Sequence, residues 1–197
     1  MKTIIYTHPY QDSFNHAIQE TMEKIFADKH QESQVIDLYG DNFDPVMSRS
    51  ELAKYSSGKT SDPLVSKYQR MIADSDELVF IFPIWWHMYP AMLKGFIDKV
   101  MLHGFAYDST DEIPWQGLLS YINRVTVITT STVTKDYLVE QCGNPIQGVF
   151  INRTLDDLGI LPEKSNWIHY GKVDKTPKEN HVNFLNELAD LYQNGQK

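Results

Sequence analysis

Three short stretches bring together groups able to hold a charged, ring-bearing small molecule. The first is HPYQDSFN, His8 to Asn15, which sets an imidazole and the Ser13 hydroxyl where a helical pattern begins. Exposed N–H groups of a first helical turn favour anions, so His8, Ser13 and that turn form a candidate phosphate site. The same residues also admit a plainer reading, in which Ser13 or Asp12 only caps the helix. The second stretch, PIWWH from Pro83 to His87, places two tryptophans and a histidine beyond an apolar run. The third, TTST from Thr129 to Thr132, is rich in hydroxyls and free backbone donors.

Each stretch follows a predicted strand. Lys2–Thr7, Gln34–Tyr39, Glu77–Phe82, Arg124–Thr130 and the shorter Asn166–Tyr170 are β-branched or apolar runs bounded by turn residues. ELVFIF within the third is apolar throughout, as a strand buried on both faces must be. Helical periodicity follows the first strand through Phe14, Ala17, Ile18, Thr21, Ile25 and Phe26, and returns from Asp62 through Leu64, Val65, Tyr68, Met71 and Ile72. Pro90–Met101 reads as a helix with proline at its start. Pro145–Leu158 reads as a helix through Ile146, Val149, Phe150 and Leu155, and a last helix spans Lys178–Tyr192 with Val182, Leu185, Leu188 and Leu191 on one face. Asp41–Thr60 reads as a long loop or weak helix. Strands alternating with helices predict an α/β, doubly wound parallel sheet in a single domain covering residues 1–197. In such sheets ligands bind beyond the carboxyl ends of the strands, so the three stretches converge on one edge. Phosphate capture, large aromatics and backbone donors together suit a flat heteroaromatic ring with a phosphorylated tail, as in a flavin.

Composition narrows the partners. A net charge of −8 with no cluster of Lys and Arg argues against nucleic acid or an anionic membrane surface. No run of 18 apolar residues is present that could cross a bilayer, and MKTIIYT is too short for a secretory signal, so a cytoplasmic location without membrane insertion is expected. The single cysteine, Cys142, excludes a dithiol pair within one chain. The seven histidines show no paired ligand spacing, and no metal is expected. No G-x-G-x-x-G follows the first strand, and SSGKT at Ser56–Thr60 lacks both the first P-loop glycine, where Ala53 stands, and a preceding buried strand.

At these residues the sequence resembles the NAD(P)H quinone oxidoreductase family, the DT-diaphorase-like flavoproteins of flavodoxin-like fold. The matching elements are His8 with Ser13-Phe14-Asn15, the run FPIWWHMYPAMLKGFIDKVMLHGFAY from Phe82 to Tyr107, and ITTSTVTKDY from Ile128 to Tyr137. The resemblance implies a five-stranded sheet of order 2-1-3-4-5 with helices on both faces. It implies that His8, Ser13, Phe14 and Asn15 lie at the flavin phosphate end. Pro83, Ile84, Trp85, Trp86 and His87, with Thr129, Thr130, Ser131 and Thr132, would bound the ring, largely through backbone groups. Trp86, His87 and Tyr107 match substrate-facing positions, the last supplied across a dimer interface. FMN is the cofactor favoured by the short chain, with FAD the larger alternative, and NAD(P)H the co-substrate. The expected reaction is ping-pong, two-electron reduction of a quinone or similar electrophile.

Two departures stand out. Ser131 and Thr132 replace the family's two glycines, and a Cβ there narrows the approach to the ring. The animal members pair a tyrosine with a histidine six residues later to stabilise the reduced flavin; Tyr137 keeps the first, as the candidate catalytic residue, and Gly143 occupies the second. Competing readings are a flavodoxin-type electron carrier, a regulatory subunit of a potassium efflux system, and an azoreductase or nitroreductase.

Overall fold

The computed structural model describes residues 1–110, 112 and 115–194. The chain opens with β1 (Lys2–Tyr6), α1 (Phe14–Asp28) and β2 (Ser33–Asp37), then α2 (Arg49–Tyr55), α3 (Pro63–Ala73) and β3 (Glu77–Pro83). α4 (Ala91–Val100) leads to a two-residue antiparallel ribbon, β4 (Tyr107–Asp108) with β5 (Gln116–Gly117), and then β6 (Arg124–Thr130). α5 (Lys135–Glu140), a π-helix over Pro145–Leu155, β7 (Ser165–Tyr170) and α6 (Lys178–Asn194) follow. The five main strands are parallel in the order β2-β1-β3-β6-β7, which is the expected 2-1-3-4-5.

Strand alternation divides the core into two layers. Ile4, Tyr6, Val79, Ile81 and Ile128 face α1 and α6, meeting Ile18, Met22, Phe184 and Leu188. Ile5, Leu78, Phe80, Phe82, Val125 and Val127 face the other way, against α3, α4 and the π-helix. All seven residues of the central β3 are buried, so helices cover both of its faces.

Local chemistry sets the helix boundaries. Ser13, and not Asp12, caps α1, its Oγ accepting from His16 N–H at 3.1 Å. Asp62 caps α3 through Leu64 N–H, and its other oxygen holds the buried Lys99 of α4 at 2.9 Å. Two expected faces shift. On α6 the buried line is Phe184, Leu188 and Tyr192, with Val182 and Leu191 exposed. In the segment from Pro145 the buried residues recur five apart, Ile146 with Ile151 and Phe150 with Leu155, as i→i+5 hydrogen bonding requires, and Val149 faces solvent. The expected weak helix in Asp41–Thr60 is the seven-residue α2. Short α5 and the ribbon escaped the sequence reading, being too brief to show a period.

The amino edge of the sheet is closed by charge. Glu77 is 3% exposed, and both its oxygens accept from the Tyr192 hydroxyl, at 2.7 and 2.8 Å. Lys2 Nζ lies 3.3 Å away, and the Arg124 guanidinium stacks 3.7 Å over the Tyr192 ring. Burial first, then the Glu77 charge, pushes the Tyr192 phenol well above its ordinary pKa, so it stays a donor. Tyr192→Phe is expected to leave the carboxylate short of a charge-assisted bond and to lower stability by about 1.5–3 kcal/mol. A urea midpoint unchanged from wild type, at equal m-value, contradicts this.

Candidate functional site

The carboxyl edge is open, and each of its loops leaves polar groups without partners among the described residues. After β1 the chain is held to the sheet by Thr7 N–H donating to Ile81 O. His8 accepts Tyr10 N–H on Nδ1 at 3.1 Å, and its ring sits 6.3 Å from that of Trp85, linking the first and second loops. Burial lowers the His8 pKa against a smaller opposing effect of the Tyr10 carbonyl, so the ring is neutral at pH 7 and does not itself attract an anion. The Phe14 and Asn15 N–H groups of the first α1 turn have no hydrogen-bond partner among the described residues. Asn15 is 4% exposed; its Nδ2 donates to Thr130 Oγ1 at 2.9 Å, while its buried Oδ1 has no partner among the described residues.

The second loop is a two-residue hairpin. Trp85 N–H donates to Met88 O and Met88 N–H to Trp85 O, at 2.9 and 3.1 Å. The central pair, Trp86 and His87, adopt φ of +50° and +64°. Tight hairpins require positive φ at both central positions and normally use Asn and Gly. A tryptophan and a histidine there store strain of about 1–2 kcal/mol each. The Trp86 side chain is 95% exposed, so nothing it packs against within the chain compensates. The turn also leaves the Trp86 and His87 N–H groups unpaired among the described residues.

The third loop is braced from behind. Ser131 N–H donates to Tyr170 O and Ser131 O accepts from Val173 N–H, while the Thr132 N–H has no partner among the described residues. Neither Ser131 nor Thr132 has positive φ, so the missing glycines cost no backbone strain. The Ser131 hydroxyl is turned inward, donating to Val133 O at 2.8 Å. Thr129 is fully buried; its Oγ1 accepts from Trp167 Nε1 and meets His169 Nδ1, both at 2.8 Å.

Two adjoining cavities, of about 200 and 240 Å³, share Ile84, Ser131 and Thr132 in their walls. The first reaches the α1 turn through His8, Ser13, Phe14 and Asn15 and is closed by Pro83, Trp85 and Thr130. The second carries Trp86 and His87. This donor set fits a flavin on the structure's own terms: backbone N–H groups unpaired among the described residues could hold the oxygen and nitrogen edge of a ring, and the unpaired helix start could hold a phosphate.

A family model described as flavodoxin-like fold matches residues 2–175. The chain belongs to this flavodoxin-like family. An Escherichia coli protein named as an uncharacterized NAD(P)H oxidoreductase is 32% identical over 113 residues, 57% of this chain and 58% of that protein. NAD(P)H dehydrogenase (quinone) 1 of Cavia porcellus is 32% identical over 121 residues, 53% of this chain and 44% of its own. The chain thus spans about half the length of these curated relatives. Among solved structures, Smu.1420 of Streptococcus mutans superposes with a TM-score of 0.82 at 29% identity, covering 98% of this chain and 100% of that one. An FMN-dependent NADH-azoreductase of Bacillus anthracis, solved with FMN, shares the fold at a TM-score of 0.75 and 18% identity, covering 100% of this chain and 99% of that one.

All the ring and phosphate candidates line the two cavities except Thr129, which supports the third loop from behind. Tyr137 stands half-exposed at the start of α5, its ring 6.0 Å from that of His87. Tyr107 does not reach this edge within the chain. It is buried beside Tyr55 and stacks face to face on Trp115 at 4.1 Å, its pKa pushed up to about 12 by burial and by the Tyr55 hydroxyl. Val173 and Val133, which also line the cavities, and His169, which braces the loop, were not singled out in the sequence. Apolar loop residues carry no chemical signal, and a histidine inside a weak edge strand is recognised only once the strands are ordered. Among the described residues no group of three or more His, Cys, Asp or Glu could hold a metal ion.

Relief of the hairpin strain is measurable. Trp86→Gly loses no packing and frees the αL residue of its Cβ, less about 0.5–1 kcal/mol of added chain entropy, so stability should rise by roughly 0.5–1 kcal/mol. Urea unfolding reads this; a fall in stability would contradict the strained-turn assignment.

Proposed function

We propose that this chain is an NAD(P)H-dependent flavin oxidoreductase that reduces quinones or similar electrophilic acceptors by two electrons in a ping-pong cycle. The observation that carries the reading is the convergence of three strand ends on adjoining cavities whose backbone donors and helix start lack partners among the described residues. The names of the relatives point the same way. Residues 1–197 would act as one flavin-binding domain. FMN is the proposed cofactor. When bound it supplies the hydride chemistry, and the protein supplies orientation, electrostatics and exclusion of water.

In this reading the Phe14 and Asn15 N–H groups hold the phosphate. Those of Trp86, His87 and Thr132 hold the ring by its polar edge, where side-chain identity is free to vary. Trp86 and His87 flank the face on which nicotinamide and then the acceptor bind in turn. Tyr137 supplies a hydroxyl donor for negative charge that develops at the ring edge, a role preorganised donors perform without reorganisation. FAD is the alternative favoured by one observation. An open cavity of about 440 Å³ between Tyr170, Asn180 and Glu187 lies next to Phe14, whose ring meets that of Tyr170 at 4.9 Å. Parallel titrations with FMN and FAD distinguish the two.

A homodimer is proposed from the family resemblance, with Tyr107 reaching the partner's site; that would require the half-exposed Trp115 stacked on it to form part of the interface or to move. A cytoplasmic location and small-molecule partners, with neither nucleic acid nor membrane insertion, accord with the acidic composition and single cysteine. No helix among the described residues is long and apolar enough to cross a membrane.

The flavin-loaded protein should oxidise NADH or NADPH with a soluble benzoquinone and give parallel double-reciprocal lines. Flavin binding without NAD(P)H oxidation would favour an electron carrier. Tyr137→Phe removes a charge-assisted hydrogen bond of about 1.5–3 kcal/mol, so bleaching of bound flavin by NAD(P)H should slow roughly tenfold or more. Flavin affinity should stay nearly unchanged. A wild-type bleaching rate in stopped flow would leave Tyr137 a packing residue.

A further inference from the structure

Behind the third loop four side chains form one hydrogen-bond chain. Trp167 Nε1 donates to Thr129 Oγ1 at 2.8 Å, and Thr129 Oγ1 meets His169 Nδ1 at 2.8 Å. His169 Nε2 lies 3.1 Å from Ser131 Oγ, which donates to Val133 O at 2.8 Å. An indole N–H can only donate and a carbonyl can only accept, so the arrangement that uses every proton within the chain runs from Trp167 to Val133 O. In it Thr129 accepts from Trp167 and gives its one proton to His169 Nδ1. The ring proton then sits on Nε2 and points at Ser131 Oγ, with Val133 O at 3.3 Å as a second acceptor. Ser131 Oγ accepts from Val133 N–H as well, at 3.2 Å, so its hydroxyl is fully used on the side away from the cavities.

We propose that His169, as the Nε2–H tautomer, is a positioning residue: it retracts the Ser131 side chain and so lets a non-glycine loop present the Thr132 N–H to the cofactor. The role in cofactor binding rests on the flavin reading of the site. Ser131 borders both cavities, and its side chain is the one a ring would meet where the resembling family has none. Burial, more than the nearby Lys135, holds the imidazole down to about 4, so the chain keeps this direction throughout the neutral range.

Nitrogen-15 NMR of the wild-type protein near neutral pH should show His169 as the Nε2–H tautomer; an Nδ1–H tautomer or an imidazolium overturns the proposal. His169→Phe should weaken FMN binding about tenfold, on the scale of one net hydrogen bond. His169→Gln, whose amide can reach Ser131, should recover part of the loss. In a Ser131→Gly background His169→Phe should cost nothing further, since no hydroxyl is left to retract. Equal losses in both backgrounds overturn the proposal. Failure of wild-type protein to bind FMN or FAD would count against the flavin reading alone. Positioning is then still decided by the tautomer and by amide exchange at Val133, expected about tenfold faster in His169→Phe and unchanged if His169 has no hold on the loop.

Discussion

Thr130 ties the three loops of the open edge to one another. Its carbonyl accepts Ile84 N–H at 2.7 Å, fixing the exit of β3, and its hydroxyl accepts the Asn15 amide at 2.9 Å, fixing the first turn of α1. Thr130 is also the last residue of β6, in register with Pro83 on one side and Tyr170 on the other. Loops up to 115 residues apart in the sequence are thereby held to a common geometry. Without those two bonds each loop could shift independently, and the two adjoining cavities would lose their common walls.

The two edges of the sheet solve opposite problems. At the amino edge the buried Glu77 carboxylate is paired with Tyr192, Lys2 and Arg124. At the carboxyl edge donors are left without partners among the described residues, and Trp86 and His87 are held in a backbone conformation their side chains disfavour. Stability concentrated at one end tolerates strain and unmet hydrogen bonds at the other, the pattern expected when a binding site is built on a rigid scaffold. The retracted Ser131 hydroxyl belongs to the same division of labour, since bracing from β7 lets the loop do without glycine.

Most of the fold was legible because its signals are periodic and long. β3 reads as a strand from a continuous apolar run, β6 from a β-branched one, and α1 and α3 from spacing and caps; β6 falls on the residues expected. Where the period was misjudged, a different geometry was at work. The Pro145 segment follows a five-residue spacing, so an α-helical template places Ile146, Phe150 and Leu155 correctly but puts the exposed Val149 on the buried face, and α6 buries Phe184 and Tyr192, aromatics that a leucine count passes over. The site was legible in its loops but not in its bonding. Which of Thr129, Thr130 and Ser131 faces the cavity depends on the partners across β6 and β7, and the positive φ of Trp86 and His87 has no signature in residues that seldom adopt it.

The central claim, that these three loops form a single flavin site, is tested most directly by titrating the purified protein with FMN and with FAD while following flavin fluorescence. One flavin bound per chain, with its emission quenched and its visible spectrum perturbed, is the expected result. A protein that purifies colourless and leaves the emission of both flavins unchanged would contradict it.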